Sequence, residues 1–177
     1  NTYNNPSQAL KNCKKVMKLT KCDAVKIEGA GDSVKTIEHI VKSGVPVMGH
    51  LGMTPQSINQ FGGWKVQGKK KQAADKIISD AKALESAGVF SIVLEMVPSK
   101  LASTITKKIN IPTIGIGAGA HTSGQVLVYH DVLGLNPEFK PKFLRTYLNG
   151  YESIKNALND YSNDVKNGTF PSKKESF

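Results

Sequence analysis

Short apolar runs alternate with stretches of helical period along most of the chain, and few folds accept that pattern. Ala9, Leu10, Cys13, Val16 and Met17 share one face of a helix predicted over 7–19, and residues 24–28 read as a strand that stops at Gly29. Ser33 can cap a second helix with Val34, Ile37, Ile40 and Val41 as its apolar face and Gly44 as its end. A strand over 45–48 leads into a polar, glycine-rich loop over 54–70, long enough to imply a functional role or disorder. The alternation resumes with a helix over 71–87 carrying Ala74, Ile77, Ile78, Ala81 and Leu84. A strand over 90–95, a helix over 99–108, and strands over 112–116 and 125–129 follow. From 141 to 166 the apolar residues Leu144, Leu148, Tyr151, Ile154, Leu158, Tyr161 and Val165 predict one long amphipathic helix.

The strands are continuous apolar runs, as expected where helices cover both faces of a parallel α/β sheet. Each ends in polar or ionisable residues: Lys26 and Glu28, His50, Glu95, and His130 with Asp131. In such folds the carboxyl ends of the strands form the active rim. Titratable groups from several strands suit a (β/α)8 barrel, yet only five strands are legible and a barrel takes roughly 200 residues or more. With 177 residues, an open doubly wound sheet stays in play.

Composition removes other classes. At 39% hydrophobic and 21% charged residues the chain is no disordered tail, and no apolar run approaches the ~20 residues of a membrane-spanning helix. Cys13 and Cys22 form no CxxC pair, which excludes a cysteine metal cluster and a disulfide scaffold and points to a reducing compartment. Lys and Arg number 24 against 14 Asp and Glu, a net charge of +10. The lysines are scattered and only Lys69–Lys71 form a run, with no Arg or aromatic residue interleaved, so a solvated surface is favoured over nucleic-acid binding.

Two glycine motifs imitate phosphate loops. Gly63 to Lys69 spells GxxxxGK, but Lys70 stands where a magnesium-binding Ser or Thr belongs, and no buried strand precedes it. Gly115 to Ala120 fits GxGxxA, but only five residues separate Gly119 from Gln125, too few for the helix that would hold a dinucleotide.

The strand ends carry the chemistry. Lys26 and Glu28 lie two apart and face the same side, where they form either a mutual ion pair or a place for a metal or a substrate anion. Glu95 closes an apolar strand as a candidate general base or, equally, as an exposed terminal charge. His50, between glycines, can donate to a ligand oxygen, whereas His130–Asp131 reads better as the start of a turn.

The stretch VPVMGHLGMTPQSINQFGGWKVQGK over 45–69 closely resembles the ketopantoate hydroxymethyltransferase family. VKIEG, VLEMVP, IPTIGIGAG, SGQVLVYHDVLG and the closing FPSKKESF continue the likeness in order over essentially the whole chain. The resemblance implies a (β/α)8 barrel of the phosphoenolpyruvate mutase/isocitrate lyase superfamily, assembled as a homo-oligomer. These residues would form one partial-barrel domain over 1–177, holding the fourth to eighth strands. Five of eight strands leave raw sheet edges, so the chain is not expected to be a stable monomer by itself. The implied reaction moves a hydroxymethyl group from 5,10-methylenetetrahydrofolate to 3-methyl-2-oxobutanoate with Mg2+, giving 2-dehydropantoate for pantothenate synthesis. The resemblance makes Glu95 the general base, Lys26 and His50 substrate-binding residues, and Glu28 a metal ligand. It implies small-molecule partners, neither nucleic acid nor membrane, and a cytosolic or mitochondrial compartment. The family's metal-binding aspartates have no counterpart here, and Trp64, Met96 and Ala120 depart from its usual Tyr, Cys and Asn. An oxoacid lyase or mutase of the same superfamily, or an inactive truncated paralogue, are the competing readings.

Overall fold

A computed structural model describes residues 2–3 and 5–177. Its contacts gather into two compact units, Asn1–Val126 and Leu127–Phe177.

The first unit is a parallel β/α array. It runs α1 (Pro6–Thr20), β1 (Val25–Glu28), α2 (Ser33–Lys42), β2 (Val47–Gly52), α3 (Ile58–Phe61), α4 (Lys71–Ser86), β3 (Ser91–Glu95), α5 (Ser99–Lys108), β4 (Thr113–Ile116) and β5 (Gly124–Gln125). The strands pair in strict sequence order, β1-β2-β3-β4-β5, all parallel. A doubly wound sheet reverses its order at a switch point; a barrel wall does not. The array is therefore singly wound, five consecutive staves of a (β/α) barrel, and the open doubly wound alternative falls away.

Local chemistry explains the elements. Pro6 opens α1, the Asn5 side chain accepts from the Gln8 amide at 3.1 Å, and Lys21 ends the helix in the left-handed region. The helix predicted from Ser33 begins there, although Asp32 is the cap residue and makes no side-chain cap bond. Residues 54–70 are not wholly loop: a 3-10 turn (Pro55–Ser57) and α3 occupy their first half. The run predicted as a strand over 125–129 pairs only through β5 and the Val126 amide, which donates to the Gly115 carbonyl at 3.0 Å. Val126, Val128 and Tyr129 are exposed, and the chain turns into a helix at Tyr129.

Both glycine motifs serve packing. GxxxxGK follows α3 rather than a strand, and Gly68 sits against Leu101 and Ile77. No helix follows GxGxxA before β5. Gly119 takes a positive φ of 79° where a Cβ would strike Ser99 at the start of α5.

The core lies between one face of the sheet and the helices. Ile27, Val47, Leu51, Ile92 and Leu94 pack with Ile37 and Ile40 of α2, Ala81 and Leu84 of α4, and Leu101 and Ile105 of α5.

The second unit holds α6 (Tyr129–Val132) and α7 (Gly150–Asn167). The long helix predicted from 141 starts only at Gly150. The amides of Tyr147 and Gly150 donate to the carbonyls of Val132 and Leu133, at 2.8 and 2.9 Å, instead of to a preceding helical turn. Hydrogen bonds to a distant segment thus override the helical spacing of Leu144 and Leu148. No described helix is long and apolar enough to cross a membrane.

Candidate functional site

Strand alternation and register fix which side chains can meet. Glu28 lies opposite His50, His50 opposite Val93, and Gly52 opposite Glu95. Registered residues of parallel neighbours share a face, and so do residues two apart on one strand. Lys26, Glu28, His50 and Glu95 therefore project from the face opposite the helix-packed core, towards the carboxyl ends of β1, β2 and β3. The structure brings all four together.

His50 is the hub and is 2% exposed. Its Nδ1 lies 3.0 Å from Lys26 Nζ and 3.9 Å from Glu28 Oε1, and its Nε2 lies 3.1 Å from Glu95 Oε2. That last approach is out of line for a hydrogen bond, so the buried Nε2 has no hydrogen-bond partner among the described residues. Lys26 Nζ is also 3.5 Å from Glu28 Oε1. The Lys26 side chain is 42% exposed whereas that of Glu28 is 8%, so the cation reaches solvent while its partners are sheltered.

Glu28 is further held by groups the sequence reading did not single out. The Gln56 amide donates to Glu28 Oε2 at 2.9 Å, and the Tyr3 hydroxyl donates to the Glu28 carbonyl at 3.2 Å. The Thr54–Pro55 turn, which aims the Gln56 amide inward, was a local signal for the first. Tyr3, an aromatic residue in a polar stretch, carried none.

The backbone around Glu95 is tightly constrained. Met96 takes a positive φ of 47°, uncommon for a residue with a side chain, and its amide donates to Ile116 at 2.8 Å. Gly52, at φ 93°, lies where a Cβ would strike the Glu95 carbonyl, and that carbonyl accepts from the Met53 amide at 2.8 Å. The Gln67 amide donates to the Met96 carbonyl at 2.9 Å and ties the 54–70 segment to the end of β3. A cleft between the end of β2, the 54–70 segment and α4 is lined by Leu51, Gly52, Phe61, Gln67, Lys76 and Asp80, and none of the four site residues lines it.

Magnesium needs near-octahedral oxygen ligation. Among the described residues no three His, Cys, Asp or Glu side chains cluster as a metal site, and both Glu28 oxygens already face donors. The described residues thus do not by themselves fit magnesium; Glu28 offers one carboxylate. His130 and Asp131 belong to the second unit, within the short helix α6 rather than at the start of a turn, and the His130 ring lies 3.8 Å from that of Tyr129.

A cluster of carboxylate, ammonium and imidazole at the carboxyl ends of adjacent parallel strands places the chain among β/α-barrel proteins with ionisable groups gathered at the strand ends. The ketopantoate hydroxymethyltransferase model matches residues 1–173, and the chain belongs to that family. It is 58% identical over 163 residues to a 3-methyl-2-oxobutanoate hydroxymethyltransferase of Bdellovibrio bacteriovorus, covering 92% of this chain and 62% of that one. The namesake protein of Aliarcobacter butzleri is 52% identical over 176 residues, with 99% and 65% covered. That of Coxiella burnetii is 59% identical over 149 residues, with 84% and 56% covered. The chain thus spans less than two thirds of the length of these relatives. Among solved structures it is similar to orotidine 5'-monophosphate decarboxylase of Methanocaldococcus jannaschii, at TM-score 0.47 and 15% identity, covering 87% of this chain and 66% of that one.

Proposed function

We propose that this chain carries the base side of a 3-methyl-2-oxobutanoate hydroxymethyltransferase site, which moves a hydroxymethyl group from 5,10-methylenetetrahydrofolate to the keto acid and forms 2-dehydropantoate. The observation that supports it most is the convergence of Glu95, His50 and Lys26, since the reaction needs a base and positive charge around one carbon. Proton removal beside a ketone leaves an enolate, whose oxygen must be met by donors or positive charge in a water-poor place.

Glu95 takes the proton from C3 of the keto acid. The sheltered strand end keeps water from competing, and Gly52 and Met96 hold its backbone in one position. The Lys26 ammonium, partly open to solvent, faces the negative charge of the substrate. His50 lies between the two and contacts the substrate or product from the same mouth. Magnesium and the oligomer belong to this reading through the resemblance alone, and Glu28 is the ligand this chain would contribute.

The half-reaction tests it. Protein incubated with 3-methyl-2-oxobutanoate in deuterated buffer should exchange the C3 proton, followed by NMR. Glu95→Gln should slow that exchange by ~10²-fold or more while leaving the circular dichroism unchanged. Undiminished exchange would remove Glu95 from the chemistry.

A further inference from the structure

The hub histidine is flanked by groups whose hydrogen-bonding capacities are not interchangeable. A lysine ammonium is all donor, with nothing to accept a bond. At 3.0 Å from His50 Nδ1, Lys26 Nζ can only donate to it, so Nδ1 must be the bare nitrogen and the ring proton sits on Nε2. The opposite tautomer would set an N–H against an ammonium in a place 2% exposed to water. Glu28 Oε1, at 3.9 Å from Nδ1, is too far to claim that proton. On the other side, Nε2 faces Glu95 Oε2 at 3.1 Å without the alignment of a formed hydrogen bond, and no described residue offers it another acceptor. Buried donors left so are costly, and catalytic hydrogen bonds are often misaligned before substrate arrives.

We infer that Lys26 is a positioning residue for Glu95: it locks His50 as the Nε2–H tautomer, and that N–H holds Glu95 Oε2. Oε1, which accepts no hydrogen bond among the described residues, is left as the oxygen that takes the substrate proton. The arrangement changes no charge; it selects one of two neutral rings. The inference deepens the reading of Glu95 as base and rests on it for its catalytic meaning, but the tautomer can be read without turnover.

The test is nitrogen-15 NMR of the histidine-labelled chain at about pH 8, where an ordinary imidazole is neutral. His50→Gln assigns the His50 ring signals by their loss. In the unmodified chain the Nδ1 resonance should have the shift of a bare nitrogen and Nε2 that of an N–H. Lys26→Met should move the ring to the other tautomer or a mixture, with the other three histidines unmoved. Lys26→Arg, which keeps a cationic donor, should retain Nε2–H. An Nδ1–H or doubly protonated His50 in the unmodified chain overturns the inference, a measurement that needs no variant to fold. An unchanged tautomer in a folded Lys26→Met also overturns it. Failure of proton exchange with the tautomer as expected would instead count against the proposed reaction and leave the lock standing.

Discussion

The two faces of strands β1 to β3 come from the same few residues and serve opposite purposes. On the helix-covered face Ile27, Val47, Leu51, Ile92 and Leu94 are buried among apolar neighbours, and Ile92 and Leu94 are wholly inaccessible. On the other face the same strands carry Lys26, Glu28, His50, Ser91 and Glu95, and it is here that His50 Nε2 and Ser91 Oγ are buried without a hydrogen bond among the described residues. Sheltered polar atoms without partners oppose folding, whereas close-packed methyl groups favour it. Apolar packing is concentrated on one face and ionisable groups on the other, one residue apart along the chain.

The contrast can be broken one residue at a time. Leu94→Ala removes a wholly buried side chain from the packed face and should destabilise by about 2–5 kcal/mol, read from denaturant unfolding. An effect below about 1 kcal/mol would mean that this face is not the structural one. Its neighbour Glu95→Gln should do the reverse, with turnover lost as above and unfolding shifted by under about 1 kcal/mol. Gly52→Ala should damage both. The added methyl group meets the Glu95 carbonyl at a φ that side chains avoid, so about 1–3 kcal/mol of stability should go together with activity. Lys26→Met, at a half-open position, should leave the melting temperature nearly unchanged while raising the apparent KM for the keto acid and, through His50 and Glu95, lowering kcat. The smallest effect lies away from the site. Burial pushes the Cys13 thiol up from its ordinary pKa, so near neutral pH iodoacetamide should label the more accessible Cys22 before Cys13. Equal rates in mass spectrometry would show that α1 opens readily.

Much of this was legible beforehand, for local reasons. The helix over 99–108 was predicted to the residue, and β1, β3 and β4 to within one residue at either end, because apolar period and glycine or proline boundaries are written in adjacent residues. The same spacing misled at 141–149, where amides find carbonyls some fifteen residues back, a choice invisible to periodicity. At the site, the Lys26 and Glu28 spacing told that they share a face. That Gln56 and Tyr3 would grip Glu28 was not written locally, since both come from segments far along the chain.

Alone, then, the amino-acid order determined the alternation of strand and helix, the family, and which residue types end each strand, all properties of neighbours. Tertiary structure decided the singly wound order and the register that sets Glu28 beside His50 and Gly52 beside Glu95. The reason is physical: a hydrogen-bonding role depends on what lies 3 Å away in space. For His50 those neighbours are 24 residues before it, at Lys26, and across β3, at Glu95.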